Sequence, residues 1–523
     1  MLDVRLVNAG ILTMDPAHPE ATQLGIWRGR VVGVDDDVAG LPARRVVDLG
    51  GATVLPGFVD AHVHLVWAGL REITPSIAPC ADRAEVLRII GEAARRRAPG
   101  DWVDVAGYDQ RPLGGHLTAA ELDSVAGGRK VFVVHDSGHA CVVSGAVLAL
   151  LPPGTPHENG MLAEQGMADV RRLRQPYAAA ELADAVERGG RTCLAEGVTA
   201  AAEAGIGGGL VSHSPVELEA YLRRPPPIRM RLMVAGALLR DPGAHPADGI
   251  PRAMDLGLRT GFGGPRLGIG ALKIFTDGGM MARTAALTEP YLDAAGAGHA
   301  GDLFTDEAWL RSVIVDGHRA GWQLAVHAIG DRAIDVALDS IAEAQRAHPR
   351  PDARHRIEHA GLVRPDHLPR FAELGVLPVV QPNFLWYFGD DYAAVLGPGR
   401  APWLYRGRGF LDAGVRLVGS SDRPVTPGAP LRSIQFMVTR RTATGATVGP
   451  GEAITVEEAL RAFTADAAYA CHWEDDLGSI RPGLLADLVV LGADPRRVPP
   501  DAIGDIEVLA TLVDGEVAHG SLP

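Results

Sequence analysis

The chain has 523 residues, of which 47% are hydrophobic and 22% charged, with a net charge of −14. That balance suits a globular enzyme, and without a basic block it excludes a nucleic-acid partner and disfavours strongly acidic substrates away from any metal. The four cysteines, Cys80, Cys141, Cys193 and Cys471, have no paired spacing, which argues against a disulfide framework and a thiolate zinc site.

In chain order, residues 1–55 read as short strands at Val4–Val7, at Gly25–Val34 with Gly29 in the turn, and at Arg45–Leu49. No basic stretch followed by an apolar one opens the chain, and no apolar run is long enough to cross a bilayer. A cytoplasmic protein without a membrane partner is expected. The far end has the same strand-rich texture, at Ala486–Leu491 and Val508–Val517, the latter broken by a hairpin signal at Asp514-Gly515. Neither end carries enough apolar surface for a core of its own, so residues 1–55 plus 472–523 are predicted to form one composite β-sandwich.

Between them, strand and helix alternate. Apolar runs at Val54–Phe58, Gly197–Ala202, Ile228–Ala235, Gly270–Phe275, Gln323–Val326, Arg356–Glu358, Val376–Val380 and Arg416–Gly419 give eight strand candidates. Helical stretches such as Glu307–Ala320, Ala333–Ala347 and Val456–Phe463 separate or follow them. This is the pattern of parallel βα units, and eight of them predict a distorted TIM (β/α)8 barrel over residues 56–471, an α/β fold. An open doubly wound sheet is the structural alternative. Residues from about 66 to 195 exceed any single βα loop and are expected to carry an inserted subdomain.

The chemistry-bearing residues follow the strand candidates. His62 and His64 are two apart, a spacing that turns both rings to one side of a strand and toward one ion. Lys273 interrupts an apolar strand, where an ammonium is costly unless paired or chemically altered. His327, His359 and Asp422 each end a further strand candidate. Singly, these are ordinary core histidines or a helix cap. Six of them at successive strand ends make a metal centre the better account.

The fuller strings, among them LPGFVDAHVHL, LKIFTDGG, HAIGDRAID, RIEHA, GSSDRPV and GSIRPGLLADLVVL, resemble the amidohydrolase superfamily, in its amidohydrolase 3 (YtcJ-like) branch. The resemblance runs along nearly the whole chain and implies two divalent ions, zinc foremost. His62 and His64 would hold the inner ion and His327 and His359 the outer one. Lys273 would bridge them as its carbamate, and Asp422 would touch the inner ion and the water. The string departs from the branch's pattern at Gln381-Pro-Asn383, where many members place a histidine, and adds Ser420 before Ser421-Asp422.

The activity so implied is hydrolysis of a non-peptide C–N bond in a small-molecule amide, including N-formyl and N-acyl compounds. Deamination and ester or lactone hydrolysis are alternatives on the same fold, and a non-catalytic scaffold is a remote third. Asp422 is the expected proton shuttle and His139 the expected donor to the transition state. Tyr108, Asp109, His116, Asn383 and Trp386 are candidates for lining the substrate pocket, with Tyr387 and Phe388 beside Trp386. The sequence leaves the assembly, monomer or homodimer, open.

Overall fold

A computed structural model describes residues 1–78, 80–175, 177–208, 212–238, 257–292 and 298–522. Its centre is an eight-stranded parallel sheet. The strands are β1 (Phe58–Val63), β2 (Val198–Ile206), β3 (Arg229–Ala235), β4 (Leu267–Phe275), β5 (Leu324–Ala328), β6 (Arg356–His359), β7 (Leu377–Val380) and β8 (Val418–Gly419), each paired with its sequence neighbour. Beyond the short β8 the ring is drawn together by other bonds. The Asp422 amide donates to the His62 carbonyl at 2.9 Å, the His64 amide to the Arg423 carbonyl at 2.8 Å, and the Ser421 amide to Asp60 Oδ1 at 2.9 Å. The sheet is therefore a nearly closed, TIM-like barrel.

Its interior is filled by small side chains. Ala61, Ala200, Ala202, Ala271 and Ala325 share one buried cluster with Val379, Val418 and the large ring of Trp473. Leu232, Ile274, Val326 and Ile357 instead join the cluster that includes Leu310, Ile314, Ile334 and Ile341 of the surrounding helices. This is the division expected when successive side chains point to opposite faces of a strand. Lys273 and His327 lie two residues beyond Ala271 and Ala325, so the same face that builds the interior continues into the mouth.

The expected first strand, Val54–Phe58, is corrected. Thr53–Pro56 pairs antiparallel with Leu488–Leu491 in a different sheet, and the barrel strand begins only at Phe58. Both segments are apolar, so hydrophobicity does not separate them; Gly57 does. A Cβ there would lie 2.2 Å from the Thr199 hydroxyl oxygen, so only glycine lets the chain cross between sheets.

Two further sheets contain the chain ends. One is ordered Arg30–Val34, Leu24–Trp27, Leu2–Val7, Ala43–Asp48. The other is ordered Glu516–Gly520, Val508–Val513, Leu488–Leu491, Thr53–Pro56, Gly10–Leu12, Glu20–Ala21, and so draws strands from both ends. Leu6, Ile26 and Val31 of the first sheet share a buried cluster with Ile11, Val54, Leu488 and Leu512 of the second. Asp514 and Gly515 both take positive φ, 53° and 76°, as a two-residue hairpin turn requires.

Between β1 and β2 lies a separate four-stranded sheet, ordered Met161–Ala163, Ala140–Val143, Lys130–His135, Trp102–Tyr108. The helices on either side of it in sequence, Leu65–Arg71 and Ala179–Ala195, contribute Leu65, Leu70, Leu182 and Val186 to the barrel's outer cluster. The inserted sheet thus occupies a narrower stretch than 66–195. Among the described residues no helix is long and apolar enough to cross a membrane.

Because the two terminal sheets share one apolar cluster, deleting residues 1–50 is expected to expose Leu488, Val490, Ala510 and Leu512. Hydrogen exchange should then accelerate in Val508–Val513, and melting should occur at a lower temperature. Unchanged protection of those amides would show that the C-terminal strands stand without their N-terminal partners.

Candidate metal centre

At the C-terminal mouth of the barrel four imidazoles form an arc. Ring centroids are 5.5 Å apart for His64 and His62, 5.0 Å for His62 and His359, and 4.5 Å for His359 and His327. All four rings are buried. Asp422 lies inside the arc, its Oδ1 at 3.1 Å from His64 Nε2 and 3.4 Å from His62 Nε2. Lys273, 1% exposed, borders the same pocket. The structure therefore brings together all six residues named from the sequence as ligands.

Each ring is held by its far nitrogen. His62 Nδ1 donates to Glu358 Oε2 at 2.5 Å, His327 Nδ1 to Asp277 Oδ1 at 3.1 Å, and His359 Nδ1 to Gln381 Oε1 at 2.7 Å. His64 Nδ1 faces Glu203 Oε1 more loosely, at 3.7 Å. The acceptors are fixed in turn. Arg356 grips both oxygens of Glu358, at 2.7 and 2.9 Å, and the amides of Ala286, Ile329 and Gly330 donate to Asp277. The Leu65 amide and the Tyr221 hydroxyl donate to Glu203, and Gln381 itself donates to the Ser420 hydroxyl at 2.8 Å. An acceptor at Nδ1 keeps the proton there and leaves the Nε2 lone pair facing inward.

The donor set fits a divalent cation. His62 Nε2 and Asp422 Oδ1 are buried without a hydrogen-bond partner. One atom each of His62, His359 and Asp422 falls within 4.8 Å of the others. Ligand atoms about 2.1 Å from a tetrahedral ion stand roughly 3.4 Å apart, close to the His–Asp spacings here. Burial, first among the causes, drives His62, His327 and His359 well below the ordinary histidine range, so they are neutral and able to ligate. At His64 burial acts the same way, but the neighbouring carboxylates of Asp422 and Glu203 outweigh it and the net shift is upward. Burial also lowers the Lys273 ammonium to about 8.

A pocket lies over this arc. His139 lines it, with its ring centroid 6.0 Å from that of His327. Its Nδ1 donates to Glu164 Oε2 at 3.2 Å, and Thr284, on the loop after β4, donates to Glu164 Oε1 at 2.7 Å. Burial disfavours charge on His139, but Glu164, Asp422 and Asp277 more than compensate, and the net shift is upward. The opposite wall is apolar. Phe384, Phe388 and Tyr392 are spaced four apart on the helix Asn383–Arg400 and line one side.

The substrate-pocket candidates need correction. Tyr108 packs into the inserted sheet's core, donates to His116 Nδ1 at 3.0 Å and accepts from the Leu117 amide. Tyr108 and His116 are thus partners in a structural bond and do not line the pocket. Asp109 pairs with Arg111 at 2.7 Å, and it is Arg111 that reaches over the Phe388 ring, 5.8 Å from its centroid. Asn383 is fully buried and donates to the Ser421 carbonyl at 2.9 Å and to the Thr426 hydroxyl, bracing the loop that carries Asp422. Trp386 stacks on Phe436 at 4.9 Å, and Tyr387 is largely exposed, which leaves Phe388 as the pocket residue of that trio.

Sequence reasoning did not single out Glu203, Asp277, Glu358, Gln381 or Glu164. An acid inside an apolar strand beside a ligating histidine was a usable signal for Glu358, as was Glu203 in its alanine-rich run. Glu164 had none, because its partner lies 25 residues away in sequence.

Comparison with known proteins agrees with this site. The amidohydrolase family model matches residues 45–519. The N-substituted formamide deformylase of Arthrobacter pascens is 30% identical over 99% of this chain and 98% of its own. The putative amidohydrolase YtcJ of Bacillus subtilis (strain 168) is 27% identical over 92% and 91%. An uncharacterized metal-dependent hydrolase from Pyrococcus furiosus superposes with a TM-score of 0.74 at 28% identity, covering 94% of this chain and all of that one. With the barrel, the ligand arc and a match along nearly its full length, the chain belongs to the amidohydrolase family and is a hydrolase.

Proposed function

We propose that this hydrolase cleaves a non-peptide C–N bond in a small-molecule amide, of the N-formyl or N-acyl type, with water as the nucleophile. The observation that carries the reading is the set of inward-facing Nε2 atoms around Asp422, with three of the four rings hydrogen-bonded from behind. The formamide deformylase relative supports the choice of bond. His62, His64 and Asp422 would hold one divalent ion and His327 and His359 a second, with Lys273 between them as its carbamate. Zinc is the expected metal. Bound there, such ions supply Lewis acidity, lowering the pKa of water towards ~7 and polarising a carbonyl.

The chain's own residues divide the remaining work. Asp422 accepts the proton of the attacking water and returns it to the leaving nitrogen, the shuttle expected of a carboxylate at this place. His139, held by Glu164 on the far side of the pocket, donates to the substrate oxygen as negative charge gathers there. Phe384, Phe388 and Tyr392 exclude bulk water and seat the acyl or amine substituent. Lys273 suits carbamylation because burial favours its neutral amine, the form that adds carbon dioxide.

Metal analysis of dialysed protein should give about two ions per chain, since six donors exceed the four that one tetrahedral ion takes. Lys273→Ala should lose one of them together with activity, and added short-chain carboxylate should restore part of both. Full activity without added carboxylate would make Lys273 structural only.

Asp422→Asn preserves shape and one oxygen donor but removes basicity. Much of the metal should stay bound while turnover drops at least ~10²-fold, the scale for a positioned acid/base. The assay substrate comes from a panel of formamides, N-acyl amines, esters, lactones and ring amines. Near-parental turnover in the Asn variant would reject Asp422 as the shuttle, and preference for another class would reassign the bond.

A further inference from the structure

The helix Gln165–Arg174 of the insertion places Arg171, Arg172 and Arg174 on its last turn. Two of the three are neutralised. Arg172 pairs with Asp169, and Arg174 grips both oxygens of Asp104, Nε to Oδ1 at 3.0 Å and Nη2 to Oδ2 at 2.7 Å. Arg171 has no carboxylate within ion-pair distance among the described residues. Its one hydrogen bond there is long, from Nη2 to the Gly138 carbonyl at 3.4 Å. A guanidinium carries five N–H donors, and four of these have no protein acceptor. Burial lowers its pKa to about 10, so it stays charged at neutral pH.

Arg171 borders two cavities that ring the metal pocket. One is walled by Trp67, Phe132 and Tyr177 and is also lined by His213. His213 is neutral, driven to about 3 by burial, and its buried Nδ1 makes no hydrogen bond but faces Glu217 Oε1 at 3.9 Å. The other shares Lys273 and Phe275 with the metal pocket, while the first shares Trp67 with it. Arg71, which also lines the first cavity, is committed to Asp136 at 2.6 Å. Among the described residues the region therefore holds a guanidinium that has no carboxylate partner and lies over the Trp67 ring, 6.0 Å from its centroid, together with aromatic walls, all beside the catalytic pocket.

We propose that Arg171 is the recognition point for a carboxylate on the substrate, so that the preferred substrates are N-acyl or N-formyl compounds bearing one carboxylate and an apolar side group. A planar monoanion matches the guanidinium fork and meets the single free charge. A phosphate dianion would bring a second charge that Arg71 and Arg174, already paired, do not meet. Trp67 and Phe132 suit the apolar group. This rests on the amide-hydrolase reading above and narrows it to a substrate class.

The test compares N-formylphenylalanine with N-formylphenylalaninamide on the metal-replete enzyme, and measures phenylacetate and phenylacetamide binding by calorimetry. The parent should favour the carboxylate substrate by about 10-fold or more in kcat/KM, the scale of a charge-assisted bidentate contact. Arg171→Met should erase that preference through a raised KM for the carboxylate substrate, and Arg171→Lys should keep part of it. Equal turnover of both substrates by the parent would overturn the inference while leaving amide hydrolysis standing, as would a preference that survives in Arg171→Met. If neither substrate turns over, the amide reading fails and binding still decides. Phenylacetate held by the parent, phenylacetamide not, and about 10-fold weaker phenylacetate binding in Arg171→Met would support the anion subsite. Phenylacetate that fails to bind the parent, or binds the Met variant equally, would remove it.

Discussion

The site depends on one repeated arrangement, an acceptor placed behind an imidazole. Glu358, Asp277 and Gln381 each take an Nδ1 proton, and Glu203 stands behind His64. A buried histidine without such a partner would be free to rotate or to exchange tautomers, and its lone pair would then face the wrong way. Fixing four rings costs side-chain entropy, but that cost is met on folding and not when a ligand arrives. The acceptors are themselves held by Arg356, by three backbone amides, by Tyr221 and by Ser420. The precision of the mouth is therefore a property of the whole barrel rim.

The pocket is shared between two parts of the chain. The barrel contributes the ligand arc and the aromatic helix face, while the insertion contributes His139 and Glu164. Thr284 joins them, since it hydrogen-bonds Glu164 and also receives the Gly279 amide at 2.9 Å. A donor on a separate element can be aimed from above the reacting atoms, a direction no barrel strand offers. The same insertion carries Arg171, so the barrel governs the chemistry and the insertion is where substrate selection is built. Loops at the C-terminal face of such barrels vary without disturbing the core for this reason.

Much of this was legible in the sequence because strand ends and ligand chemistry coincide. His62, His64, Lys273, His327, His359 and Asp422 each follow an apolar run, and any one alone would have been ambiguous. The boundary at Gly57 was not legible, because two apolar strands in different sheets meet there without a polar break. Tyr108 and His116 misled because a polar string near an expected mouth reads the same whether it lines a pocket or closes a core. Trp386 is a candidate because it follows the seventh strand, whereas the helix period turns Phe384, Phe388 and Tyr392 to the pocket. Glu164 acts through a partner distant in sequence, and local pattern carries no trace of that.

The charge balance at the mouth ties the ligand arc to its cofactor. Glu358 has Arg356 as a full cationic partner. Asp422, Glu203 and Asp277 have only imidazoles within ion-pair distance among the described residues, and burial pushes Asp277 up to about 7. Several carboxylates with neutral neighbours form a cluster that is poorly stabilised by the protein alone. Lys273 offers one positive charge and, as the proposed carbamate, would replace it with a negative one. A site of this composition reaches electrostatic balance only with concentrated positive charge at its centre, which divalent cations supply.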